Sequence, residues 1–249
     1  MTTETLMAVK SDSMTQLRRI DSLFFSPQRL FEDILHNRSW WLPFVLTVVC
    51  SYTLTFSAAQ KIGFRQLTIN AMQVNPAASD SLNEDMTPAQ RESAIDTAVI
   101  TFKISSFITP VVILLYNVVY ALALWIGLSL AAKGRADFAS IFAVLLYADL
   151  IQDVRSLLAT IMVYVTAVPA KLNITNAVGT NLAYYLDSGV GGWLRTLLET
   201  MDALTIWYLV IIALGCSIVA KVPRRAAAVV VFGLWLLVVV SRVIWAAIG

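Results

Sequence analysis

The chain has 249 residues, of which 58% are hydrophobic and 14% charged, and a net charge of +2. A soluble domain of this size carries about 25% charged residues, so the composition describes a one-domain integral membrane protein. The small net charge gives no support for a nucleic-acid partner. Cys50 and Cys216 both sit in apolar runs, which rules out a disulfide framework or a metal site.

Residues 1–25 read as a flexible cytoplasmic tail. They are polar, hold the pair Arg18-Arg19, and lack the short apolar core and cleavage site of a secretory signal. A five-span membrane domain is expected over 26–249. It opens with Ser26 as N-cap and Pro27 at the first helical position. Leu30, Phe31, Ile34 and Leu35 then share one helix face, and Arg29, Glu32, Asp33, His36 and Arg38 the other. The pattern predicts an amphipathic helix in the headgroup plane, its apolar face, Phe31 and Ile34 included, against the inner leaflet or the helix bundle. Trp40 and Trp41 follow as interface anchors.

The first span is expected over 42–59. Its Thr47, Ser51, Thr53, Thr55 and Ser57 suit a helix packed against protein. A polar connection occupies 60–103, with a loop from Asn75 to Thr87. Thr87-Pro88-Ala89-Gln90 then starts a helix with a capping box. No stop signal follows, so that helix runs on into a second span, 104–132, where Pro110 is placed to kink it and Asn117 is the one strongly polar residue. Lys133-Gly134-Arg135 makes a tight hairpin to the third stretch, 138–168. Asp149, Gln152, Asp153, Arg155 and Ser156 interrupt its apolar sequence, so it reads as one long span or a broken one.

A second long connection covers 169–203. In it Trp193, Leu194, Leu197, Leu198 and Met201 recur at helical spacing, which predicts another helix lying on the membrane, in an outer loop. Asp202 is placed to cap the fourth span, 203–220. The turn Lys221-Val222-Pro223-Arg224-Arg225 leads into the fifth span, 226–248. Basic residues concentrate in the two short loops and the N-terminal segment. That bias puts the N-terminus in the cytoplasm and the C-terminus outside.

Chemistry-bearing patterns are few. Asp149 and Asp153 are one helical turn apart and share a face, while Arg155 points roughly opposite Asp153. Ionisable residues at membrane depth suggest a proton relay, an ion site or an Asp–Arg lock. The plainer reading is a polar centre buried by protein. Two acids on one helical turn point outward together and cannot form an aspartyl protease dyad. Asn117 is expected to bond a neighbouring helix. The single histidine, His36, makes no metal site, and no cofactor motif is present.

Several stretches carry a resemblance. SPQRLFEDI and NRSWWLPF precede five apolar runs, GRADFASIFAVLLYADL spans Gly134 to Leu150, and MDALTIWYLVIIALGCSIVAKVPRRAAAVVV spans Met201 to Val231. In the last, Asp202, Trp207 and Gly215 stand where members often have Asp, Trp and Gly. Over residues 20–248 the chain resembles the bacterial branch of the Yip-domain family. That resemblance implies five spans and no established enzyme activity. Eukaryotic members bind prenylated Rab-type GTPases, but bacteria lack that machinery, so that role is not carried over; the Asp-Leu-Tyr-Gly-Pro stretch of many eukaryotic members is also missing here. Some bacterial members accompany ABC-type export transporters. The expectation is therefore a non-enzymatic accessory or scaffold protein of the bacterial inner membrane, without cofactor. Its partners would be membrane lipid and another membrane protein or a second copy of itself. The alternative is a small transporter or channel working through Asp149, Asp153 and Arg155.

Overall fold

A computed structural model describes residues 14–74, 86–166, 174–186 and 192–248. The described residues are helical apart from turns and one isolated bridge between Asn181 and Asp202. Three helices are long and apolar enough to cross a membrane: Trp41–Lys61, Pro88–Ala131 and Arg224–Ala247. The protein is thus an all-helical membrane protein.

The segment expected as a loose tail contains helix α1, Gln16–Phe25, capped by the Thr15 side chain, which accepts from the Arg18 N–H. The expectation misjudged this stretch because its buried face, Arg19, Ser22 and Leu23, includes a charge. Residues 1–13 lie outside the described residues. Ser26 turns the chain into α2, Pro27–Ile34.

Of the two covers expected for the apolar face of α2, inner leaflet or helix bundle, the structure shows the second. Leu30, Phe31 and Ile34 are fully buried, and α2 packs on helices α6 and α8, defined below. Their apolar stripe meets protein instead of lipid because Gly215 leaves a seat for it. A Cβ at Gly215 would lie 2.6 Å from Val144 Cγ1 and 2.9 Å from Phe31 Cε1.

Helix α3, Trp41–Lys61, leads to α4, Phe64–Val74. The loop expected from Asn75 onward lies outside the described residues as far as 85. Thr87 and Gln90 form both bonds of a capping box and start α5, Pro88–Ala131, which continues through Pro110 for 44 residues. Arg65 of α4 ties to α5 through Glu92 and Asp96, both at 2.6 Å.

Helix α6, Phe138–Val165, is the axis of the molecule. Every residue from Ser140 to Ile151 is buried, and α6 touches α1, α2, α3, α5 and α8. The polar stretch within it does not break the helix. At 28 residues it is about 42 Å long, more than the roughly 30 Å of a bilayer's hydrocarbon core.

Beyond short 3-10 turns at Ile174–Asn176 and Leu182–Tyr185 come α7, Gly192–Thr200, α8, Ala203–Val219, and α9, Arg224–Ile248. Helices α7 and α8 both pack along α9. Gly192, at the start of α7, lies beside the Ala246 carbonyl near the end of α9, and a tight turn joins α8 to the start of α9. So α7 and α8 lie end to end as one rod, interrupted at Met201-Asp202. The surface helix expected around Trp193 is therefore packed on protein, although Trp193 itself is half exposed.

The two basic turns are joined. The Gly134 N–H donates to Leu128 O at 2.8 Å, and the Arg135 N–H to Ala220 O at 3.1 Å. Lys133 and Lys221 both adopt left-handed backbone, φ 53° and 55°, as residues just past a helix end do.

Candidate functional site

The polar residues of α6 fan out to different neighbours. Asp149 and Asp153 share one face of the helix but not one site. Asn117 Nδ2 of α5 donates to Asp149 Oδ2 at 2.6 Å, and the Tyr208 hydroxyl of α8 faces the same carboxylate. Thr47 of α3 donates to Asp153 Oδ2 at 2.7 Å. Both acids are buried, at 9% and 8% exposure. Each is thus a clamp between α6 and another long helix, built from neutral donors. Asn117 also donates to Ile113 O at 3.1 Å, while its Oδ1 is buried without a partner. Gln152 is half-buried.

Arg155 leaves that face and reaches the interrupted rod. Its Nη2 lies 2.5 Å from Asp202 Oδ1 and 3.2 Å from the Thr205 hydroxyl. Asp202 caps α8 by accepting from the Thr205 N–H at 2.9 Å. Its other oxygen accepts from the Thr180 hydroxyl. The backbone around the interruption is paired too: Ala203 N–H donates to Thr180 O at 3.0 Å, and Asn181 bridges Asp202. An interrupted helix leaves unpaired N–H and C=O groups at its ends. Here the segment around Thr180 and the Arg155 guanidinium cover them, and the Asp202 side chain is left 1% exposed.

A third cluster has no counterpart in the sequence expectations. Arg19 is fully buried. Its Nε donates to Asp33 Oδ2 at 2.6 Å, and Nη1 lies 3.3 Å from Ser39 O and 3.4 Å from the Tyr147 hydroxyl of α6. Gln16 donates to the Ser39 hydroxyl at 2.8 Å. The cluster fastens the α1–α2 pair to the start of α3 and to α6. The signal that could have revealed it is the spacing of Arg19, Ser22 and Leu23, one helix face once arginine is allowed inside.

The expected interface residues divide. Phe31 and Ile34 belong to the core. Trp40 packs edge-on against Phe44 and Phe142, while Trp41 is 55% exposed at the mouth of α3. Among the described residues no group of three or more His, Cys, Asp or Glu could hold a metal.

The sequence profile of the Yip1 domain matches residues 21–244, nearly the whole chain. The chain belongs to the Yip1 domain family. That span takes in the contacts of Asp149, Asp153 and Arg155 and every described helix from α2 to α8, while Gln16 and Arg19 of the third cluster precede it. No curated protein matches, and no solved structure matches.

Proposed function

We propose that this Yip1 domain protein is a non-catalytic accessory or scaffold of the bacterial inner membrane. It would bind another membrane complex, such as an ABC-type export system, or a second copy of itself, and organise the lipid around it. The observation that carries this reading is the separate commitment of Asp149, Asp153 and Arg155 to three different neighbours. Side chains used as clamps hold a bundle together and give a solute no common binding point.

Five crossings follow in this reading: α3, α5, α6, the α7–α8 rod and α9. Alone, α8 has 17 residues, about 25 Å, short of a bilayer. With α7 ahead of it the rod matches α9. Lys133, Arg135, Lys221, Arg224 and Arg225 share the side of the N-terminal helices, which puts that side in the cytoplasm and the C-terminus outside. A reporter active only outside should light up after Gly249 and stay dark at Gly134; the reverse pattern rejects this arrangement. Gentle-detergent purification should bring down a membrane-protein partner in fixed ratio, or a homo-oligomer, identified by mass spectrometry.

A second reading, a small transporter or channel, is favoured by one observation: interrupted helices near buried acids are used by ion-coupled transporters. Flux in proteoliposomes decides. The clamp reading expects no pH- or ion-driven flux from the wild type. A flux that vanishes in well-folded Asp149→Asn and Asp153→Asn variants would establish a transporter.

A further inference from the structure

A groove of about 520 Å³ opens where α2 and α9 begin, with α8 as its floor. Arg29 and Arg224 are its cations, Glu32 its acid, and Leu214 and Pro27 its apolar walls. Neither arginine is in an ion pair among the described residues. Arg224 donates to Gln28 Oε1 at 3.3 Å, and Gln28 Nε2 in turn donates to Glu32 at 2.9 Å. The acid is thus occupied by an amide, and two arginines against one carboxylate leave the groove positive. Ser26 makes no capping bond with its side chain, so its hydroxyl is a further donor at the rim.

We propose that this groove holds the phosphate of an anionic phospholipid from the cytoplasmic leaflet. The proposal rests on the orientation given above, with the Lys221–Arg225 turn in the cytoplasm. Arginine forks match phosphate oxygens in two-point contacts. Leu214 lies five residues before the end of α8 at Val219, about 7 Å further along the helix. A lipid would set its phosphate between Arg29 and Arg224 and its acyl chain along Leu214. A soluble phosphate would leave that leucine wet. The seat is built by the same contact that docks α2: Leu214 neighbours Gly215, against which Phe31 sits.

The test uses the full chain, purified from micelles containing equal phosphatidylglycerol and phosphatidylcholine, with bound lipid counted by native mass spectrometry. The wild type should retain phosphatidylglycerol preferentially, and less of it as salt rises. Arg29→Gln and Arg224→Gln should each reduce that retention about fivefold. Leu214→Gln should reduce retention of both lipids, and Arg18→Gln, on an exposed face outside the groove, should change nothing. Phosphatidylglycerol should raise the thermal midpoint of the wild type and not that of the double arginine variant. Equal retention of both lipids, or unchanged retention in the double variant, overturns the proposal. So does displacement of the lipid by millimolar inorganic phosphate, which would mark a soluble-anion site. Loss of a co-purifying protein with lipid retention intact would make the groove a protein-docking surface. Preferential retention in a protein that brings down no partner would support the lipid site and count against the accessory role alone.

Discussion

Arg18 and Arg19 adjoin in sequence and meet different surroundings. Arg18 is exposed on α1, while Arg19 is sealed between Asp33, Ser39 and Tyr147. Taking away one partner of a buried pair leaves the other charge without compensation. Arg19→Ala should therefore cost about 3–5 kcal/mol, read as a lowered thermal midpoint in detergent. Arg18→Ala should stay within about 0.5 kcal/mol. Arg155 and Asp202 form the other strong pair. With Arg155 about a third exposed, Arg155→Ala should cost about 3 kcal/mol, the low end for such a loss. Asp202→Ala should cost at least as much, because it removes the cap of α8 as well. The double variant should be less damaged than the sum of the two; strict additivity would show that the residues do not act as a pair. Asp202 as a cap is legible in the sequence, since capping is local. Its partners are not, because Arg155 and Thr180 arrive from distant parts of the chain.

At the scale of elements, legibility follows the range of the forces. The start of α5 is written in four adjacent residues, and both bonds of its capping box form. Helix α2 is equally plain as a helix, but its environment is not. An apolar stripe does not say whether lipid or protein will cover it, and the same holds for α7. Gly215 decides the matter for α2. Gly215→Val should overfill the seat and cost about 1–3 kcal/mol, and it should undock α2 specifically. A spin label at Ile34 in that background should become accessible to a water-soluble quencher, whereas the same label in the parent protein should be shielded. Continued shielding would mean that the seat has slack.

For the whole molecule, the helical hairpins were legible further than the core. Apolar runs and loop charges outline the hairpins, and the stitching of Arg135 to the other basic turn agrees with a shared side. The central place of α6 was hidden because its polar stretch resembles a break. Partners on α3, α5 and α8 let the helix continue, and a partner is invisible until the chain is folded. The docking of α2 on α8 also bears on the order of biogenesis. The ribosome makes α2 well before its seat at Gly215. While the intervening helices enter the bilayer, Leu30, Phe31 and Ile34 have no native cover, and a loop of most of the chain must close before they gain one. Nascent chains arrested before Ala203 should thus expose α2 to added protease or recruit a cytosolic chaperone. Released chains that include α8 and α9 should do neither. Equal protection at both lengths would mean that α2 finds another shelter first.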